Sequence, residues 1–161
     1  ARIHPWSAGN RSEEVKQGLE AHRASPIHVL GPKMFSEVTA LQKQGDVLLS
    51  IEPQSDNELY KSILLSKTVD YIAVRRPIFA LTVPGSVSQY WCERGYGWAV
   101  DSRDTRAVAA SLNHIFEQFT QDPGALSSAL PPLPPELTAE VAVATLMSIF
   151  ETTQRSRAGH P

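Results

Sequence analysis

Ser66, Lys67 and Asp70 are the residues of this chain whose types and spacing best fit a chemical task. A helix beginning near Ser66 would leave its first backbone N–H groups without intrahelical partners and carry the positive end of its dipole there, which suits a diphosphate. Lys67 in the first turn would add a full charge beside that phosphate. Asp70, one turn further on, could accept hydrogen bonds from two ribose hydroxyls. The same spacing also describes a solvated i, i+3 pair on a helix surface, worth only about 0.2–0.5 kcal/mol. Spacing alone leaves both readings open.

Other reactive residue types are present without a setting. The histidines His4, His22, His28, His114 and His160 show no metal-ligand spacing, so no metal site is expected. Ser66 and Ser86 lack the Gly-x-Ser-x-Gly elbow of a nucleophilic serine. Cys92 lies beside Trp91 and Glu93, not in a basic setting, which argues against a reactive thiolate. Trp91 and Trp98 read as core or interface residues, because no basic groove accompanies them. Arg75 and Arg76 either face an anion or complement a helix C-terminus. Gly31-Pro32-Lys33 is an ordinary turn signal on its own, and Ser55-Asp56-Asn57-Glu58 an ordinary polar loop.

The elements that would position these residues alternate along the chain. The pattern predicts helices near residues 10–22, 35–44, 66–74, 87–94, 105–119 and 136–154. Strands are predicted at residues 26–30, 46–51, 77–81 and 97–100, with 46–51 apolar enough to be buried on both faces. On the 105–119 helix, Ala109, Leu112, Ile115, Phe116 and Phe119 form the expected apolar face. Such alternation implies an α/β fold, a Rossmann-like open parallel sheet with helices on both faces. Ligands in these sheets bind beyond the carboxyl ends of the strands, which points to residues 31–34, 52–67 and 82–86. Four prolines within residues 131–135 exclude helix and central strand, and read as a stiff extended connector.

The bulk properties narrow the function classes. A formal net charge of -2 over 161 residues, with no basic stripe, gives no field for nucleic acid. A single cysteine makes the fold independent of an oxidising compartment, and no apolar run approaches the roughly 20 residues of a membrane span. A cytoplasmic location is expected.

The ordered set Leu64-Leu65-Ser66-Lys67, Asp70-Tyr71, Ala73 and Arg76-Pro77-Ile78-Phe79-Ala80-Leu81 resembles the donor-site element of family 4 retaining glycosyltransferases, enzymes of the two-domain GT-B architecture. Gly45-Asp46-Val47-Leu48-Leu49, Pro84-Gly85-Ser86 and the run from Gly95 to Asp101 match in the same order, so the resemblance covers roughly residues 27 to 120. It implies that Leu65, Ser66 and Lys67 bind the diphosphate and Asp70 the ribose. It further implies that Gly31, Pro32 and Lys33 approach the base, and that Asp56, Asn57 and Glu58 face the donor sugar. Ser62 stands where most members carry glutamate and Leu65 where glycine is usual, so no catalytic residue is assigned.

By this resemblance, residues 1–130 form the nucleotide-sugar-binding domain, 131–135 the connector, and 136–161 a helix crossing toward an amino-terminal acceptor domain of the same parent chain. The domain is expected to lack the family's first strand and helix. The parent enzyme would move a sugar from a nucleotide diphosphate to a glycan or lipid-linked acceptor with retention, without metal or cofactor, and with room for peripheral membrane association. The isolated chain would be inactive. The alternatives are a noncatalytic α/β binding module with a degenerate site, and half of a sugar-nucleotide epimerase. Exposed apolar surface along the last helix is expected if it packs partly on an absent partner.

Overall fold

Three short apolar runs pair side by side in the computed structural model, which describes Leu30, residues 32–55 and residues 57–158. They are β1 (Leu48–Ile51), β2 (Ile78–Thr82) and β3 (Gly97–Asp101), all parallel, in the order β1-β2-β3. Between and after them run α1 (Phe35–Gln44), α2 (Glu58–Lys61), α3 (Ser66–Ala73), α4 (Val87–Trp91), α5 (Thr105–Gln121), α6 (Ala125–Ser128) and α7 (Ala139–Ala158). A π turn, Cys92–Tyr96, joins α4 to β3, and a 3-10 turn, Pro135–Leu137, precedes α7. The chain is α/β with a small open parallel sheet. The expected helix near residues 10–22 and all but Leu30 of the 26–30 strand lie outside the described residues; Leu30 itself is in neither helix nor strand.

Side chains alternate across a strand, so the register assigns each residue to a face. Leu48, Ser50, Ile78, Ala80, Thr82 and Ala99 share one face, and Leu49, Ile51, Phe79, Leu81, Trp98 and Val100 the other. On the first face Ile78 and Ala80 meet Ile72 of α3, Trp91 of α4, and Cys92 and Tyr96 of the π turn in one buried cluster. Ile72 and Ile78 are fully buried, worth about 1.5–3 kcal/mol each. Trp91 packs edge-on against Tyr96, ring centroids 5.7 Å apart. The second face carries α5 and α6, whose Gln118 and Leu126 share a cavity wall with Trp98.

Two expectations about burial are overturned. The first strand is not covered on both faces: Leu48 and Ser50 are buried, but Leu49 is 41% and Ile51 61% exposed. β1 is the edge of the sheet among the described residues, and α5 and α6 sit at the β3 side. The buried stripe of α5 is also turned from the expected one. Ile115 is buried and Val108, Ser111, Gln118 and Phe119 are half-buried, whereas Ala109, Leu112 and Phe116 are exposed. A helix seated on the last strand of a three-stranded sheet has a narrow seat, and a single stripe at i, i+3, i+4 and i+7 fills it.

The proline segment is a strap bound to the domain. Leu130 and Pro134 are buried. Tyr96 Oη donates to the Pro132 carbonyl, and the Arg75 guanidinium to the carbonyls of Leu130 (2.9 Å) and Pro131. Leu137 then packs against the core cluster. From this anchor α7 runs exposed from Ala139 to Phe150, showing Val143, Leu146, Met147 and Phe150 at i, i+3, i+4 and i+7. No helix among the described residues is long and apolar enough to cross a membrane.

Gly97 opens β3 against β2 at a spacing only glycine permits. A Cβ there would lie 1.9 Å from the Ile78 carbonyl oxygen and 2.6 Å from its nitrogen. Gly97→Ala is therefore expected to destabilise the protein by about 3 kcal/mol or more, read as the loss of unfolding free energy in urea titrations.

Candidate functional site

The carboxyl ends of β1 and β2 carry a group of buried hydroxyls. Ser50, Thr68, Thr82, Ser86 and Ser88 are each at most 4% exposed. Burial of hydroxyls is tolerated when each is hydrogen-bonded, and the bonds here tie elements together. Thr68 Oγ1 and Ser88 Oγ, 3.2 Å apart, link α3 to α4. Ser86 Oγ caps α4 by accepting from the Gln89 N–H, and lies 2.8 Å from Thr82 Oγ1. Thr82 Oγ1 also donates to Glu52 Oε2, and Ser50 Oγ contacts Glu52 Oε1 at 3.4 Å.

α3 begins beside this group. Its N-cap is Leu65, in extended conformation, and no side chain caps the helix. The backbone N–H groups of Ser66 and Lys67 have no hydrogen-bond partner among the described residues. These free donors and the dipole make a local positive end. The Lys67 ammonium does not point freely outward: Nζ donates to the Ile51 carbonyl, 2.7 Å away, lashing α3 to the end of β1. Burial lowers the Lys67 pKa from its ordinary value, and the Glu52 carboxylate opposes that shift. Asp70 is half-buried one turn on, and no side-chain hydrogen bond holds its carboxyl among the described residues. Burial, with the Asp70 charge behind it, pushes the neighbouring Tyr71 phenol up.

The remaining expected site residues are not brought to α3 by any hydrogen bond or ion pair among the described residues. Pro32 and Lys33 are exposed ahead of α1, and Gly31 lies outside the described residues. Asp56 also lies outside them. Asn57 and Glu58 serve α2, a helix the sequence pattern did not reveal: Asn57 Oδ1 caps it by accepting from the Leu59 N–H at 2.9 Å, and Glu58 pairs with Lys61 at 2.7 Å. Ser62 ends α2, its hydroxyl donating to the Leu59 carbonyl. Arg75 and Arg76 face carbonyls, Arg76 also donating to Ser127 Oγ at 3.1 Å.

Sequence reasoning pointed to the segments 52–67 and 82–86 but passed over Glu52 and Thr82 as individuals. The signal for them was position alone: each lies at the carboxyl end of an apolar strand. Two surface cavities lie elsewhere. One of about 420 Å³ is at the amino ends of β2 and β3, lined by Pro77, Gly97 and Trp98; one of about 270 Å³ lies beside the proline strap. Among the described residues no group of three His, Cys, Asp or Glu could hold a metal ion. Comparison with known proteins finds no matching family model, no matching curated protein and no matching solved structure.

Cys92 lies within reach of the Glu52 field but takes no part in this chemistry. Burial, helped by Glu52 and Glu93, pushes its thiol from 9.0 up to about 12. The unfolded thiol ionises near 9.0 and the folded one does not. Its contribution to stability is therefore complete below pH 9.0 and lost as pH rises through about 12. Urea unfolding is expected to show stability falling over this window, by at most about 1.4 kcal/mol per pH unit from this group. Cys92→Ala should remove that component. An aromatic disulfide reagent at pH 8 should modify Cys92 only as fast as the protein unfolds; rapid modification of the folded chain would contradict the burial.

Proposed function

We propose that this chain is the nucleotide-sugar-binding domain of a retaining glycosyltransferase, a Rossmann-like half of a GT-B enzyme. The observation that carries the reading is the uncapped start of α3, with Ser66, Lys67 and Asp70 on it, at the carboxyl ends of an open parallel sheet. Open parallel sheets bind ligands at that end, and free N–H groups at a helix start suit phosphate. In this reading the diphosphate lies on the N–H groups of Ser66 and Lys67 beside Leu65, and the ribose on Asp70. Pro32 and Lys33 with Gly31 serve the base, and Asn57 and Glu58 with Asp56 the sugar. The exposed stripe of α7 faces the acceptor half of the parent chain, and transfer takes place in the cleft between the halves.

One observation favours the second reading, a noncatalytic α/β binding module. The Lys67 ammonium is bonded to the Ile51 carbonyl, so it covers the strand end where a phosphate would sit. In that reading the hydroxyl group and Lys67 are a structural clamp.

Calorimetric titration of the purified chain with UDP, GDP, ADP and CMP separates the two. The donor-site reading expects one nucleoside diphosphate to bind, with Asp70→Ala weakening it by at least about tenfold, the equivalent of one charge-assisted hydrogen bond. The isolated chain should show no transfer. Absence of binding by all four, in the chain and in its longer parent, would favour the clamp.

A further inference from the structure

At the amino ends of β2 and β3, the second sheet face meets α5 and α6 around the cavity of about 420 Å³. That volume falls in the range of about 300–1,000 Å³ typical of small-molecule sites. Trp98, Leu126 and Leu130 give it an apolar wall, and Gln118, Gln121 and Asp122, at the end of α5, give it polar groups. One of those groups has a need that the protein does not meet. Gln118 Oε1 is buried and accepts no hydrogen bond among the described residues. A buried acceptor without a donor costs stability, so the donor that fits it belongs to an occupant of the cavity.

The electrostatics of the cavity decide what kind of donor this is. Asp122 Oδ1 accepts from the Gly124 N–H at 2.9 Å and the Ala125 N–H at 3.3 Å, and Oδ2 has no donor among the described residues. α5 is 17 residues long, its last turn holds no basic residue, and Pro123 beyond it has no N–H. The negative end of the helix dipole is thus uncompensated at the cavity rim. The indole of Trp98 is the aromatic ring that best attracts a cation. Among the described residues no Lys, Arg or His lines the cavity. The Arg76 guanidinium, next in sequence to Pro77, is occupied by the Lys43 carbonyl and Ser127 Oγ. A carboxylate, a helix C-terminus, an open acceptor and an indole all favour positive charge, and an anion would be repelled. The leucines favour an apolar body.

We propose that this cavity binds a small organic cation, an apolar body carrying a protonated amine that donates to Gln118 Oε1 and to Asp122. The site is independent of the donor-site reading, since the two lie at opposite ends of the sheet.

The test titrates the purified chain with phenethylamine and hexylamine, each beside its neutral N-acetyl derivative and a carboxylate of similar size. Calorimetry gives affinity, and the Trp98 indole N–H resonance of ¹⁵N-labelled protein gives location. At least one amine should bind saturably with a Kd below about 1 mM and shift that resonance, with the neutral and anionic counterparts weaker by at least about tenfold. Asp122→Asn removes the charge and keeps a side chain able to cap α6; it should weaken the amine by about tenfold. Gln118→Leu should also weaken the amine, yet leave the unfolding free energy level or raised, because the unbonded acceptor has gone. A purely structural glutamine would show the reverse, stability lost and amine binding unchanged, and that result overturns the proposal. So does binding of neither amine, which leaves water as the partner of Gln118. Equal binding of amine and N-acetyl derivative, or an Asp122→Asn variant that binds as wild type does, also overturns it.

Discussion

The close approach of Gly97 to Ile78 is the constraint on which the sheet depends. Backbone meets backbone there with no space for a Cβ, and this sets where β3 starts. Because β2 is the strand paired on both sides, its register with β3 fixes what each β2 residue does. Ile78 and Ala80 enter the core against Ile72, Trp91 and Tyr96, and Thr82 emerges at the carboxyl end beneath Ser86. A slip of one residue would exchange the two faces, sending Phe79 and Leu81 into the seat of α3 and α4, and taking Thr82 away from Glu52. Core and site are thus aligned by the same contact.

The two ends of the first sheet face differ in chemistry. Its middle is apolar, and its carboxyl end is a patch of buried hydroxyls. Buried polar groups that are fully bonded make a core specific without adding much net stability. Here they join β1, β2, α3 and α4 through bonds that work in one arrangement only. Glu52 lies over these hydroxyls and the uncapped start of α3 beside them, so the polar end of the core and the candidate site share residues.

Much of this architecture was legible in the sequence, because short apolar runs bounded by Gly, Pro and polar residues leave few readings. The helix 35–44 and the starts of α3, α4 and α5 were readable from periodicity and caps, as was strand character near Leu48, Ile78 and Gly97. Burial was less legible. Leu48-Leu49-Ser50-Ile51 is apolar enough for two covered faces, and nothing in it says that the strand is an edge among the described residues. The face of α5 was misread because Leu112 and Phe116 are as apolar as Ile115, so periodicity could not choose among overlapping stripes. α2 is a single turn made by an Asn57 cap and a Glu58–Lys61 pair, below the length at which periodicity speaks. At the site, Lys67 was read as free charge; its bond to Ile51 spans 16 positions and has no local signature.

Arg75 shows how the far end of α3, opposite its uncapped start, is connected to α7. α3 stops in a Schellman motif: the Arg75 N–H bonds the Ile72 carbonyl and the Arg76 N–H the Tyr71 carbonyl. The residue at its left-handed position is normally glycine, but here it is arginine at φ 59°. A side chain there costs of the order of 1 kcal/mol relative to glycine. The compensation lies in what that side chain reaches, the carbonyls of Leu130 and Pro131. Bonds from a charged donor are worth about 1.5–3 kcal/mol each when buried; discounted for the exposure of Arg75, two of them offset a strain of this size. Glycine would end α3 equally well and leave the strap untied. The arginine therefore ties the carboxyl terminus of α3 to the strap that leads into α7. Tyr96 and Leu137 reinforce the same junction from the core. The exposed apolar stripe of α7 accordingly leaves the domain from an anchored root, bound through Arg75, Tyr96 and Leu137.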